Sequence, residues 1–241
     1  MINVSNLSYT YPDGHQAIRD VSFHIKKGEC IGLIGANGAG KSTLLQLLVG
    51  LLIPQQGTIV VDGITMTKKT LPAIRRKIGF MFQHPDDQLF MMSVYDDVAF
   101  GLRNERLPEN EIEQRVIEAL TMVGALHLKD RAPYRLSGGE KRLVALATIL
   151  AMQPDILIMD EPTAALDPKA RRTFIRLMEG LPHTKIIATH DLDLVLERCE
   201  RTIVLSKGRI VYDGNTNDIL TDAAFLEQHD LELPLMLQRW K

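Results

Sequence analysis

The nine residues Gly35-Ala36-Asn37-Gly38-Ala39-Gly40-Lys41-Ser42-Thr43 have the composition of a polyanion cradle. Glycine, four residues, then Gly-Lys-Ser is the spacing of a phosphate loop. Its glycines let backbone N–H groups wrap an anion without Cβ clashes. Lys41 would bring positive charge to the β- and γ-phosphates of a nucleoside triphosphate, and the Ser42 hydroxyl is an oxygen ligand for Mg²⁺. Phosphoryl transfer to water also needs carboxylates at the end of a neighbouring buried strand, and Ile156-Leu157-Ile158-Met159 delivers Asp160 and Glu161 there. Asp160 is expected to hold the magnesium through water, and Glu161 to polarise the attacking water. An acidic pair closing a strand is more often a solvated turn, and a glycine-rich run on its own is only a turn. Each gives the other its chemical reading.

Such a pair of motifs works only if the chain builds a sheet around it. Val21-Ser22-Phe23-His24-Ile25 alternates apolar and polar residues, and Lys27-Gly28 turns it into the apolar run Cys30 to Ile34. This predicts a strand meander feeding a buried central strand. The phosphate loop then sits between that strand and a capped helix over Lys41 to Val49, where N–H groups and the helix dipole converge on one point. Further strands are expected at Thr58 to Asp62, Ile78 to Phe82, Ile156 to Met159, Lys185 to Thr189 and Thr202 to Leu205, with helices at Pro168 to Leu181 and Asp191 to Cys199. Alternating strands and helices predict a mainly parallel sheet covered on both faces. Lys207-Gly208 should turn an edge hairpin. Between Pro85 and Met152 strand patterns vanish, and Glu109 to Val123 and Gly139 to Met152 carry helical spacing, so this segment reads as a helical insertion.

The bulk properties of the 241 residues exclude several classes: 45% are apolar, 24% are charged and the formal net charge is −2. That balance is of a globular protein with a sizeable core, and it argues against a duplex nucleic acid partner, which normally requires a basic excess. The longest apolar stretch, Leu44 to Ile53, is too short to cross a bilayer and is broken by Gln46 and Gly50. Met1 leads into Ile2-Asn3-Val4-Ser5 with no secretory pattern, so a cytosolic location is expected, and the two cysteines, Cys30 and Cys199, read as reduced packing residues.

With these motifs in place, the sequence resembles the ABC ATPase family from about Val4 to Asn215. Leu136-Ser137-Gly138-Gly139-Glu140 is similar to the family signature, while Ser137 and Glu140 also have the spacing of a helix capping box. Gln83 looks like the glutamine that senses Mg²⁺ and the γ-phosphate, and His190 resembles the switch histidine. Ala165-Leu166-Asp167 resembles the loop that crosses the dimer interface, and Tyr11 is placed like the aromatic that stacks on adenine. The resemblance implies an α/β fold: a P-loop NTPase, RecA-like core (residues 1–84 and 153–215) with an N-terminal antiparallel β subdomain, an inserted α-helical subdomain (85–152) and a tail (216–241). It also implies that ATP and Mg²⁺ bind between the phosphate loop of one subunit and Ser137, Gly138 and Gly139 of another, in a homodimer or a heterodimer with a related ATPase. Glu161 and His190 would be catalytic, Ser42, Gln83 and Asp160 would serve the metal, and Ala165, Leu166 and Asp167 the interface.

His84 to Phe90 and Ser93 to Gly101 look like the ATPases of energy-coupling-factor importers, and Leu181 to Asp193 is similar to their cobalt and nickel branch. The resemblance implies a peripheral subunit on the cytoplasmic face of the cell membrane, working with a transmembrane coupling protein and a substrate-binding membrane subunit. Vitamin uptake is the rival cargo. A soluble ABC ATPase acting on DNA or ribosomes, and a binding module without turnover, are the other readings. The seven histidines form no ligand cluster of the usual spacing.

Overall fold

The alternation at the start of the chain becomes a half-buried sheet. In the computed structural model, which describes residues 1–238, β1 (Ile2–Thr10) pairs antiparallel with β2 (Gln16–Ile25). Val21, Phe23 and Ile25 turn inward while Ser22 and His24 face solvent. Next come β3 (Cys30–Ile34), α1 (Lys41–Leu48), β4 (Gln56–Val61), β5 (Ile64–Thr65), α2 (Leu71–Lys77) and β6 (Ile78–Met81). The four-stranded antiparallel sheet has the order β2-β1-β4-β5.

Three helices fill the span between β6 and the next strand: α3 (Val94–Asn104), α4 (Glu109–Met122) and α5 (Gly138–Leu150). The core then resumes with β7 (Ile156–Asp160), α6 (Pro168–Glu179), β8 (Thr184–Ala188), α7 (Leu192–Arg198), β9 (Arg201–Ser206) and β10 (Arg209–Asn215), followed by α8 (Thr216–Leu220) and α9 (Ala223–Gln228). The second sheet has the order β10-β9-β3-β8-β7-β6, parallel except for β10 at its edge. Of the expected tail, residues 239–241 lie outside the described residues.

The strand period divides the core in two. Ile156 and Ile158 of β7 join the apolar cluster under the antiparallel sheet and α1, whereas Leu157 and Met159 join the cluster built by α3 to α8. Both faces of the parallel sheet are therefore apolar, which is why its strands read as unbroken hydrophobic runs. The ends of the strands carry the polar residues. The β9–β10 turn reaches back to the start of the chain's first helix: the Gly208 N–H donates to the Ala39 carbonyl at 3.0 Å, and the Gly208 carbonyl accepts from the Arg19 N–H at 2.8 Å.

Candidate active site

Two glycines of the loop after β3 are dictated by close approach. A Cβ on Gly35 would collide with the Leu205 carbonyl oxygen, and one on Gly40, whose φ is +106°, would lie 2.6 Å from the Ala17 carbonyl oxygen. Gly40 is the N-cap of α1 and offers no side-chain hydrogen bond, and the first turn holds no acidic residue. The cap expected there is absent. By contrast α3, α5, α6 and α7 begin on Ser93, Ser137, Asp167 and Asp191, whose side-chain oxygens accept from the first turn. The physical reason is that a Ser or Asp at the head of α1 would use the N–H groups that an incoming anion needs.

Lys41 is buried, and its ammonium donates to Gly35 O at 2.7 Å and Ala36 O at 3.3 Å, with His190 Nε2 at 3.1 Å. Because an ammonium only donates, Nε2 accepts, which places the imidazole proton on Nδ1. Burial pushes the Lys41 pKa down against the opposing pull of Glu161 and Asp160. Burial and then the Lys41 charge lower His190 as well.

Glu161 stands just past β7 with φ +47°, a left-handed conformation uncommon outside glycine. Its N–H extends the sheet ladder to Ala188 O at 2.8 Å. One carboxylate oxygen accepts from the Thr189 hydroxyl at 3.0 Å and the His190 N–H at 3.2 Å. The other is buried and has no hydrogen-bond donor in the protein, although His190 Nε2 is 3.5 Å away. With Nε2 already accepting from Lys41, it has no proton to give Glu161. The result is a buried carboxylate oxygen, beside the phosphate loop, with a lone pair available to a donor such as water.

Asp160 closes β7. Burial pushes its carboxyl up from the ordinary range, and the nearby Ser42 hydroxyl draws it partly back. Ser42, Gln83 and Asp160 form a set of hard oxygen donors on one cavity. Among the described residues no three His, Cys, Asp or Glu side chains gather to hold a metal. That set, with a single carboxylate, fits Mg²⁺, which uses one or two carboxylates and keeps water and phosphate among its other ligands, rather than a metal caged wholly by protein.

The cavity has a volume of about 260 Å³ and is lined by Asn37 to Thr43, Gln83, Asp160, Glu161 and His190, together with His15 and Ala17. Gly35 and Ala36 lie beneath it, supplying the carbonyls that hold Lys41. Tyr11, expected to face adenine, hydrogen-bonds Thr43 through its hydroxyl at 3.0 Å and packs edge-on against Tyr9. His15, near-parallel to Tyr11 at a centroid distance of 6.3 Å, lines the cavity. The Thr43 partner of the Tyr11 hydroxyl, on α1, is a contact that sequence spacing could not show.

The other expected residues are placed elsewhere. Ser137, Gly138 and Gly139 share a second cavity, of about 590 Å³, with Ala165, Leu166 and Asp167, and none of its lining residues belongs to the first. Ser137 and Glu140 form a full capping box, and the Asp167 carboxylate caps α6 through the N–H groups of Lys169 and Ala170, both at 2.9 Å. Sequence reading missed Thr189, which fixes Glu161, and Arg142, a buried cation in α5. The signal for Arg142 was a charge three and four residues before the buried Ala145 and Leu146, on the apolar stripe of its helix.

A pH effect follows from the histidines. Burial lowers both His183 and His190 below 6.5, so between the unfolded and folded values the unfolded chain binds more protons. Stability is then lost as pH falls through 6.5. The urea midpoint should drop between about pH 7.5 and about pH 5.5, and less steeply in His190→Gln. A midpoint indifferent to pH over that window would contradict the neutral imidazole.

Residues 18–164 match the sequence profile of the family described as ABC transporter. A putative ABC transporter ATP-binding protein of Geobacter sulfurreducens is 52% identical, covering 99% of this chain and 96% of its own. The energy-coupling factor transporter ATP-binding protein EcfA of Methanothermobacter thermautotrophicus is 44% identical over 97% of this chain and 77% of its own. Among solved structures, cbiO1 of Clostridium perfringens, described as part of the ABC transporter complex cbiONQ, superposes with a TM-score of 0.83 at 41% identity, covering 94% of this chain and 93% of that one. The ATP-binding cassette MJ0796, in a dimeric post-hydrolysis state bound to ADP and Pi, gives 0.82 at 30% identity, covering 90% and 99%.

Proposed function

Since the chain belongs to the ABC transporter family, as an ATPase of the energy-coupling-factor type, we propose that it binds Mg-ATP on the Gly35 to Thr43 loop and that its hydrolysis powers uptake of cobalt or nickel ion through separate membrane subunits. The observation that carries the catalytic part is the buried, donor-free oxygen of Glu161 on the same cavity wall as Lys41, Asp160 and His190. Mg²⁺, held by Ser42, Asp160 and Gln83, would supply charge neutralisation at the β- and γ-phosphates. Lys41 and the N-terminal amides of α1 bind the triphosphate. Glu161, fixed by Thr189 and the His190 amide, takes the proton of the attacking water, and His190 orients the γ-phosphate side of the site.

The separation of Ser137, Gly138 and Gly139 from that cavity supports a two-subunit site. One chain offers a phosphate loop on one cavity and a helix tip on another, so two chains facing each other complete two sites. The dimeric state of the MJ0796 cassette lends this reading its precedent. Ala165, Leu166 and Asp167, beside that helix tip, would cross the interface.

A groove of about 270 Å³ between α3, β6 and α5 supports membrane coupling. It exposes Phe90 and Phe100, which contact edge-to-face at 5.0 Å, among Phe80, Phe82 and Met152. An aromatic groove beside Gln83 suits an amphipathic coupling helix of a transmembrane protein. No helix among the described residues is long and apolar enough to cross a membrane, and a peripheral place on the cytoplasmic face goes with that partner. The cobalt or nickel cargo rests on the resemblance of Leu181 to Asp193 to the cobalt and nickel branch of these importers, and vitamin uptake is the alternative cargo for the same machine.

Co-expression with the membrane proteins encoded beside it, reconstitution into liposomes and measurement of ATP-dependent radioactive cobalt and nickel entry tests the whole reading. Metal entry that stops when Glu161 is changed to Gln is the expected result. A stable complex that hydrolyses ATP yet moves neither metal would remove the cargo and leave the ATPase.

A further inference from the structure

Arg142 is 3% exposed and lies in α5, four residues after Gly138 and one turn behind the tip formed by Ser137, Gly138 and Gly139. Its guanidinium donates to three main-chain carbonyls on two separate loops. Nη1 reaches Phe82 O at 3.2 Å and Gln83 O at 3.0 Å, and Nη2 reaches Ala164 O at 3.2 Å. The first pair belongs to the segment that places Gln83 on the ATP cavity, and the third directly precedes the Ala165 to Asp167 loop. Nε is buried with no acceptor in the protein. Burial lowers the guanidinium's proton affinity and the Glu161 carboxylate works against that, so the cation feels the charge of the proposed base.

A buried cation with an unsatisfied donor is a poor way to stabilise a helix, because an apolar residue of similar volume would avoid the desolvation cost. A planar fork that holds three carbonyls from two loops does something an apolar residue cannot: it makes those loops move together with the helix that carries it. We infer that Arg142 is a positioning residue that locks the Gln83 segment, the Ala165 to Asp167 loop and the Ser137 helix tip into one body, so that engagement of Gln83 by Mg-ATP sets the surface presented to the second subunit. The inference rests on the two-subunit site proposed above.

Arg142→Lys and Arg142→Gln test it, each made in the full chain and in the Glu161→Gln background. Binding of a fluorescent ATP analogue to the single chain should stay within about twofold, because the triphosphate contacts are intact, whereas kcat and ATP-driven association of the Glu161→Gln chains should each weaken by about tenfold or more. Arg142→Lys, which keeps a charge but not the fork, should recover only part of the loss. A purely structural role would lower the thermal midpoint and leave kcat and association unchanged at temperatures where the variants are folded; that result overturns the inference. If both variants prove unfolded, hydrogen exchange on the wild-type chain decides. Mg-ATP should protect residues 82–85, 137–143 and 163–167 over the same concentration range, and protection of the first segment alone refutes the coupling. Failure of the Glu161→Gln parent to associate at all would bring down the two-subunit reading and this inference with it, whereas association that is equal with and without Arg142 sinks the inference alone.

Discussion

Glu161→Gln should leave Mg-ATP binding within about threefold of wild type and slow hydrolysis by roughly 10²- to 10⁴-fold, the usual contribution of a positioned general base. The substitution keeps the shape. The amide oxygen can still accept from the Thr189 hydroxyl and the His190 N–H, so the loop after β7 should retain its left-handed turn. What disappears is the negative, unbonded oxygen that could take a proton from water. Losing that charge also removes repulsion of the γ-phosphate, so the variant should accumulate as an ATP-bound dimer. Phosphate release assays report the rate, and analytical ultracentrifugation with and without Mg-ATP reports the dimer. Wild-type turnover in the variant would end the assignment of Glu161 as the base.

Lys41→Ala should fail earlier, at binding. Hydrogen bonds from a charged donor are worth about 1.5–3 kcal/mol, which corresponds to roughly a 10- to 150-fold loss of ATP affinity. The ammonium is already desolvated and held over the loop by two carbonyls, so little reorganisation is needed to turn it toward a phosphate. Its removal also frees His190 Nε2 from its bond to Lys41, and the imidazole of the variant should titrate closer to its ordinary value. Calorimetric ATP titration and histidine NMR titration read the two effects separately. Unchanged affinity would contradict the phosphate-loop role.

Much of this was legible in the residues because the signals are local. The phosphate loop needs glycines at fixed places, and β7 announces itself as an apolar run ending on Asp160 and followed at once by Glu161. The covered parallel sheet follows from strands that are apolar on both faces. The parts that escaped are set by contacts distant in sequence. The pairing of β4 with β1, which makes the antiparallel sheet, joins strands with β3 and α1 between them. Helix α3, which buries Val94, Val98 and Leu102, was given no bounds of its own within the helical insertion. The orientation of Tyr11 depends on a hydroxyl of α1, and Arg142 finds its three carbonyls on loops that lie far before and after it. The missing cap of α1 was misjudged for another reason: capping is the general rule for helices, and this helix departs from it where an anion is to be received.

The turn at Gly208 gives the fold a temporal property. It braces Ala39 in the loop and Arg19 in β2, and β3 is flanked by β8 and β9, both made long after it. A ribosome therefore releases residues 35–43 long before anything exists to shape them, and closing such a distant contact is slow relative to local folding. A nascent chain shorter than about residue 208 should be unable to retain nucleotide, which ties the onset of activity to synthesis of the β9–β10 turn.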